Sequence, residues 1–431
     1  MSQFRLARLA LMLAALGAAP VLMNNAVAQD KNAKAPAAAP EQKGPTVRPE
    51  VYKLIDQNVV KPMIDAKNYA EVKSRIAQAE AIPNLTPYEQ YAITRMKVSL
   101  AAASNDEAAL LPALSAAIDS GFLTPQEKDN FLLSIGTTYY NQKNYPKATE
   151  VFRRYQKEGS DPARVINPLI RAEYLAGDYA GAKNDLLPYI ASLEKEGKQP
   201  TEEDLRLLAS SANKVKDNAT YLQSLEQMVM YYPTDDYWTD VLSRGVLNKQ
   251  GYNPVNDANV YRLSFNAVSK MQPDFYTDFA TLLLTDGFPT EAKKVMDAGF
   301  ANGVLSDAKA RQLRDKATKG AADDAKNIAS GEASANKSKT GAGMVNIGWA
   351  YVTMGQYDKG IGFIQQGIAK GGLKQPDEGK LRLGIAQFRA GHKDEAIKTL
   401  QEVKAAGGLA DLARYWIMLI NHPTAATNAA K

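Results

Sequence analysis

Two tetrapeptides constrain this chain more than anything else in it: Thr86-Pro87-Tyr88-Glu89 and Thr124-Pro125-Gln126-Glu127. In each, the Thr hydroxyl can accept from the N–H three positions on, and the Glu can reach back to the cap. The Pro stands in the first helical turn, where its missing N–H costs nothing. Both are helix starts. Similar starts stand near Arg48-Pro49-Glu50, Asp161-Pro162, Thr201-Glu202-Glu203-Asp204, Thr234-Asp235, Gln272-Pro273-Asp274, Ser306-Asp307, Thr340 and Gln375-Pro376-Asp377-Glu378. From the first of these starts to the last the steps average about 36 residues, room for two helices and two turns. Each unit should therefore be a helical hairpin.

The clearest unit is Phe131 to Tyr155. Leu132, Ile135 and Tyr139 follow helical spacing, Asn141 to Asn144 makes a polar turn, and Tyr145, Ala148, Val151, Phe152 and Tyr155 resume the period. Gly136 and Ala148 supply small residues on the facing surfaces, where the two backbones can approach closely. In Leu132, Ile135, Gly136, Tyr139, Ala148 and Phe152 the stretch resembles the tetratricopeptide repeat family. Further copies recur at Ala182 with Leu186, Tyr221 with Leu225, Ala292 with Met296, Gly348 with Gly360 and Ile364, and Gly384 with Ala396 and Leu400. The resemblance implies an all-α fold, a right-handed α-solenoid of about ten hairpins. Few runs alternate apolar and polar, and no β-branched run is bounded by hairpin turns, so strands are poorly signalled.

Residues 1–28 read as a secretory signal, with Arg5 and Arg8, an apolar run from Leu9 to Met23, and Ala26-Val27-Ala28 as cleavage site after Ala28. The rival reading, an uncleaved anchor, meets a run that is short for a bilayer and interrupted by Pro20. With no cysteine for disulfides or lipid attachment, the expectation is a periplasmic or secreted protein with no stable membrane insertion after cleavage. Beyond Ala28 the basic and acidic residues nearly balance, which argues against a nucleic-acid binder.

Residues 29–47, rich in Ala, Pro, Lys and Gln, read as a disordered tether, and 48–305 as an N-terminal repeat array. Within it, Thr234 to Met271 departs from the Gly/Ala pattern. Residues 306–339, nearly all Ala, Lys, Asp and Ser, read either as a degenerate repeat or as one long exposed helix on a stripe of Leu313, Ala317, Ala321 and Ile328. This segment is the expected mobile part and hinge. Residues 340–420 read as C-terminal repeats ending in a capping helix at Leu409 to Ile420, and 421–431 as a disordered tail.

Little in the sequence suits catalysis or metal binding. His392 and His422 are lone and distant, and the adjacent acids Asp235-Asp236 and Asp323-Asp324 suit helix N-termini. Ser334-Ala-Asn-Lys337 with Lys339-Thr340-Gly341 matches two motifs of serine β-lactamases, but these require a long intervening chain and a strand. No enzyme and no cofactor is expected.

Partner binding is sought on the first helices of successive hairpins, which line the concave face of a solenoid. There Arg164, Asn167, Arg171 and Tyr174 fall on one stripe; Arg206, Ser210 and Asn213 continue it, and Tyr140 and Asn141 precede it. Such a patch suits an extended peptide's carbonyls or carboxylates. The Lys/Asn clamp by which some tetratricopeptide proteins hold a terminal carboxylate is not reproduced, since Leu133 and Thr137 occupy two of its positions. These readings converge on a protein- or peptide-binding scaffold of the bacterial envelope. A glycan or peptidoglycan binder is the alternative, motivated by the 21 tyrosines.

Overall fold

A computed structural model describes residues 45–429, which are helical with no strand among them. The signal sequence, its cleavage site and nearly all of the tether lie outside the described residues. The chain divides into two compact units between Tyr189 and Ile190, and within each unit helical hairpins follow one another in the manner of an α-solenoid.

The first unit contains α1 (Pro49–Ile55), α2 (Gln57–Asp65), α3 (Tyr69–Glu80), α4 (Pro87–Ala103), α5 (Glu107–Asp119), α6 (Pro125–Asn141), α7 (Tyr145–Glu158), α8 (Ile166–Ala176) and most of α9 (Tyr179–Lys195). Thr86 and Thr124 each close a complete capping box with Glu89 and Glu127. The hairpin turns share one device. A residue in the left-handed region, Lys67, Asn105, Lys143 or Gly177, is followed at once by Asn68, Asp106, Asn144 or Asp178, whose side chain accepts from the backbone of the next helix. Gly136 makes room for the ring of Phe152, so the small residue of one helix receives the large residue of its partner. Leu132, Ile135, Phe152, Tyr155 and Leu169 belong to one continuous core.

The tether reading ends too late. Val47 packs on the α1–α4 core, and Arg48 donates to buried Glu89 through its backbone N–H and its guanidinium, at 3.0 and 2.8 Å. That pairing holds the Glu89 carboxyl down at about 2, because hydrogen bonds from Arg48 and from the Thr86 backbone outweigh its burial.

The second unit continues with α10 (Glu202–Lys214), α11 (Asn218–Tyr231), α12 (Asp235–Leu242), α13 (Asp257–Ala267), α14 (Pro273–Thr285), α15 (Pro289–Ala301), α16 (Ala308–Lys337), α17 (Ala342–Thr353), α18 (Tyr357–Lys370), α19 (Pro376–Arg389), α20 (Lys393–Gln401), α21 (Leu409–Asn421) and α22 (Ala425–Ala429). Thr201, Thr234 and Asp307 cap their helices as the sequence suggests. Thr340 does not. Its helix begins at Ala342 because Gly341 donates to Gly371 O at 2.8 Å, an approach so close that any side chain at 341 would strike the Gly367 backbone.

Residues 306–339 resolve into one 30-residue helix, α16, about 45 Å long. It is not exposed all round. Ala310, Ala317 and Ala335 are buried on a stripe with Leu313 and Ile328, and Gly320 and Gly331 admit Pro289 and Ile347. Small side chains let α16 lie close to α15 and α17 with almost no large aliphatic residues.

The end of the chain also departs from expectation. Residues 421–431 read as a tail, yet Thr427 is 1% exposed and donates to Asn266 O at 2.8 Å, seating α22 on α13. The preceding α21 meets the final repeat and also turns back on the middle of its own unit. Tyr415 donates to Glu226 at 2.8 Å, Lys249 pairs with Asp411 at 2.7 Å, and Gly407 O accepts from Asn253 and Asn256. Helix α21 therefore covers two surfaces where the sequence suggests one. Its buried Leu412, Trp416 and Leu419 give it the apolar face for this.

Candidate functional site

The predicted groove residues fall into two groups, one in each unit. In the first, Pro162 and the Asp161 cap start a 3₁₀ turn at Pro162–Val165, so α8 proper begins only at Ile166. Arg164 thus leaves the helical stripe, while Asn167, Arg171 and Tyr174 keep the i, i+4, i+7 relation on one face. Asn167 is exposed and donates to the Tyr189 hydroxyl at 3.3 Å. Tyr174 and Tyr140 are partly buried because each packs edge-on against the next tyrosine in the chain, Tyr179 at 5.3 Å and Tyr145 at 5.5 Å. These two ring pairs, one repeat apart, brace successive hairpin turns. Asn141 is exposed at the end of α6.

In the second unit, Arg206, Ser210 and Asn213 share one face of α10 at the same spacing. Arg206 stands 3.7 Å from Glu202 and lies over the ring of Tyr237, whose hydroxyl donates to Glu202 at 2.6 Å. Arg206 and Asn213 are exposed, and Ser210 is half-buried.

Two buried charge clusters are not foreseen by the sequence pattern. One lies in the first unit. Glu173, fully buried on α8, pairs with Arg153 of α7, which also reaches Asp185 of α9 at 2.9 Å. Glu173 stands one repeat after Tyr139, at the register position of that tyrosine. Burial pushes its carboxyl up to about 7, with Arg153 only partly offsetting it and Asp185 and Asp178 adding to the rise.

The other is a stack in the second unit built by every second helix from α13 to α19. Arg382 lies over Phe288, Arg262 lies between Phe288 and Trp349, and Arg389 lies over Trp349, at 5.1 to 5.6 Å from each ring centre. Glu291 is the common acceptor. It takes Arg262 Nε at 3.0 Å and Trp349 Nε1 at 3.2 Å, with Arg389 at 3.5 Å. Burial by itself would raise Glu291, but Arg262 and Arg389 prevail and hold it below the usual carboxylate range. Arg382 donates to Glu378 and Asn346 at 2.6 and 3.0 Å. Arg262 Nη1 donates to Asn259 at 2.9 Å, and Nη2 is buried without a protein acceptor. A buried donor left unmatched costs about 1–3 kcal/mol.

A cavity of about 200 Å³ opens beside this stack. Arg262, Arg389 and Lys294 bring positive charge to it against Glu291, while Phe265, Phe279, Val295 and Val352 make an apolar wall. The signal in the sequence is weak: Asn259, Arg262 and Asn266 form a polar stripe on α13 that reads as a solvated face. Arg262 is buried there because Phe288, Glu291 and Trp349, carried at or on α15 and α17, close around its guanidinium, contacts that no spacing on α13 announces.

Residues 378–406, spanning most of α19 and α20, match the tetratricopeptide repeat family model. This chain contains a tetratricopeptide repeat. In the matched tetratricopeptide hairpin Gly384 receives the side chain of Leu400, as Gly136 receives Phe152 in the α6–α7 hairpin. No curated protein matches the chain. Similar solved structures include the Naa15/Naa10 complex bound to HypK-THB, at 13% identity and TM-score 0.28 over 81% of this chain and 58% of that one. The chain thus spans little over half the length of that protein. The TPR2AB domain of yeast Sti1 in a pHSP90 complex matches at 14% and 0.22 over 67% and 97%, and yeast Tom70 at 11% and 0.23 over 86% and 94%.

Proposed function

We propose that this protein is a non-enzymatic interaction scaffold of the bacterial cell envelope that takes a protein or extended peptide on the first-helix faces of its repeats. The matched tetratricopeptide repeat carries this reading. It is supported by two patches with the same chemistry, Asn167 and Arg171 on α8 and Arg206 and Asn213 on α10, where cationic and amide donors stand at helical spacing. Such donors suit peptide carbonyls and carboxylates. The envelope location rests on the sequence of residues 1–28. The two tyrosines of the groove, Tyr140 and Tyr174, each pack edge-on against a neighbouring ring, Tyr145 and Tyr179.

The test is charge reversal at both patches, Arg171→Glu with Arg206→Glu, in purified protein offered to envelope lysate and to peptidoglycan. The scaffold reading expects a protein partner whose capture falls at least about tenfold in the double variant at unchanged melting temperature. Retention of peptidoglycan alone, or capture that ignores both substitutions, overturns it.

A further inference from the structure

We propose that the cavity beside the Arg262–Trp349–Arg389 stack is a binding site for a small carboxylic acid with an apolar body. This is a second site, independent of the scaffold reading and confined to the second unit. Cationic groups outnumber carboxylates around it. Glu291 already accepts from Arg262 Nε and Trp349 and faces Arg389, so its oxygens are committed. Arg262 is 1% exposed, and its Nη2 has no protein acceptor. Arg389 and Lys294 add two more cationic groups to the lining. The lining therefore carries three cations against one carboxylate. On the far side of the stack Arg382 is answered by Glu378, which does not line the cavity. Lys294 is held below the usual lysine range, by desolvation first and by Arg389 second, and an anion bound beside it would shift it back up.

The remaining walls select among anions. Phe265, Phe279, Val295 and Val352 present hydrocarbon, which a phosphate or sulfate cannot use and which would strip its hydration. A carboxylate on an apolar body places its two oxygens on the guanidinium groups and its hydrocarbon on those rings and methyls. Size sets the scale. An apolar cavity of about 150 Å³ holds a benzene molecule. About 200 Å³ has room for a ring with a short acid arm. The mouth is polar and open to solvent, since Lys294 is exposed and Tyr357 and Arg389 are half-buried.

Phenylacetate is the probe, titrated into the whole chain by calorimetry, with benzyl alcohol as its neutral counterpart and inorganic phosphate as an anion without an apolar body. The site predicts saturable phenylacetate binding, at least about tenfold tighter than either control. Arg389→Met should weaken it about tenfold or more, and Lys294→Ala, at the exposed mouth, about threefold at unchanged melting temperature. If Arg389→Met does not fold, Lys294→Ala decides by itself. Absence of saturable binding, phosphate binding as tight as phenylacetate, or phenylacetate binding indifferent to the folded variants each overturns the proposal.

Discussion

Replacing the buried Glu173 by glutamine should stabilise the protein at alkaline pH and leave it nearly unchanged in acid. The carboxyl has an ordinary value of 4.5 and is pushed up to about 7 in the folded chain by burial. A raised carboxyl is one whose charge the fold resists. Its contribution to stability is complete below pH 4.5, falls as pH rises toward 7, and is absent above that. A gap of about 2.5 pH units corresponds to about 3 kcal/mol at most. Glutamine keeps the shape and never ionises. Arg153 loses its buried partner but keeps Asp185 at 2.9 Å and is 41% exposed, so it can turn to water. The expected gain at pH 8 is therefore about 1–3 kcal/mol, with less than about 0.5 kcal/mol at pH 4.5. Guanidinium unfolding of parent and variant at the two pH values measures the difference, and hydrogen exchange across α8 localises it. A variant less stable than the parent at pH 8 refutes the reasoning, because it would show the ionised Glu173–Arg153 pair to be a net source of stability.

Two further substitutions probe the second unit. Glu291→Gln should cost about 3–5 kcal/mol at pH 7, since it leaves Arg262 buried with only neutral acceptors; because Glu291 is held low, the loss should shrink as pH falls below 4.5. Chemical denaturation across that range checks both halves. Gly348→Ala should cost more than Gly384→Ala, about 2 kcal/mol or more against about 1 kcal/mol. An added methyl at 348 meets the Gly360 backbone, whereas at 384 it meets the movable end of Leu400. Equal melting temperatures for the two variants would contradict the close backbone contact.

How much of this can be read from the chain depends on the range of the interaction. Thr86, Thr124, Thr201 and Thr234 announce their helices because a cap is made within the first turn that follows it. Gly136 and Gly384 announce hairpin packing for a similar reason, since their large partners lie in the very next helix. Thr340 misleads because the contact that sets its helix start comes from Gly371, beyond the following hairpin. The fate of residues 421–429 depends on the return of α22 to α13, and the burial of Arg262 on Phe288, Glu291 and Trp349 closing around it, neither of which a local pattern encodes. For the groove, helical spacing puts Asn167, Arg171 and Tyr174 on one face, but the 3₁₀ turn at Pro162 removes Arg164 from it, and the bracing role of Tyr140 and Tyr174 emerges only with their ring partners.

The central claim is that the α8 and α10 faces receive a protein partner. A photoreactive amino acid placed in turn at Asn167, at Asn213 and at the exposed Lys157 of α7, activated in intact cells, tests it most directly. The same protein adduct is expected from 167 and 213, and none from 157. Equal labelling from all three positions, or no protein adduct from either helix face, would contradict the claim.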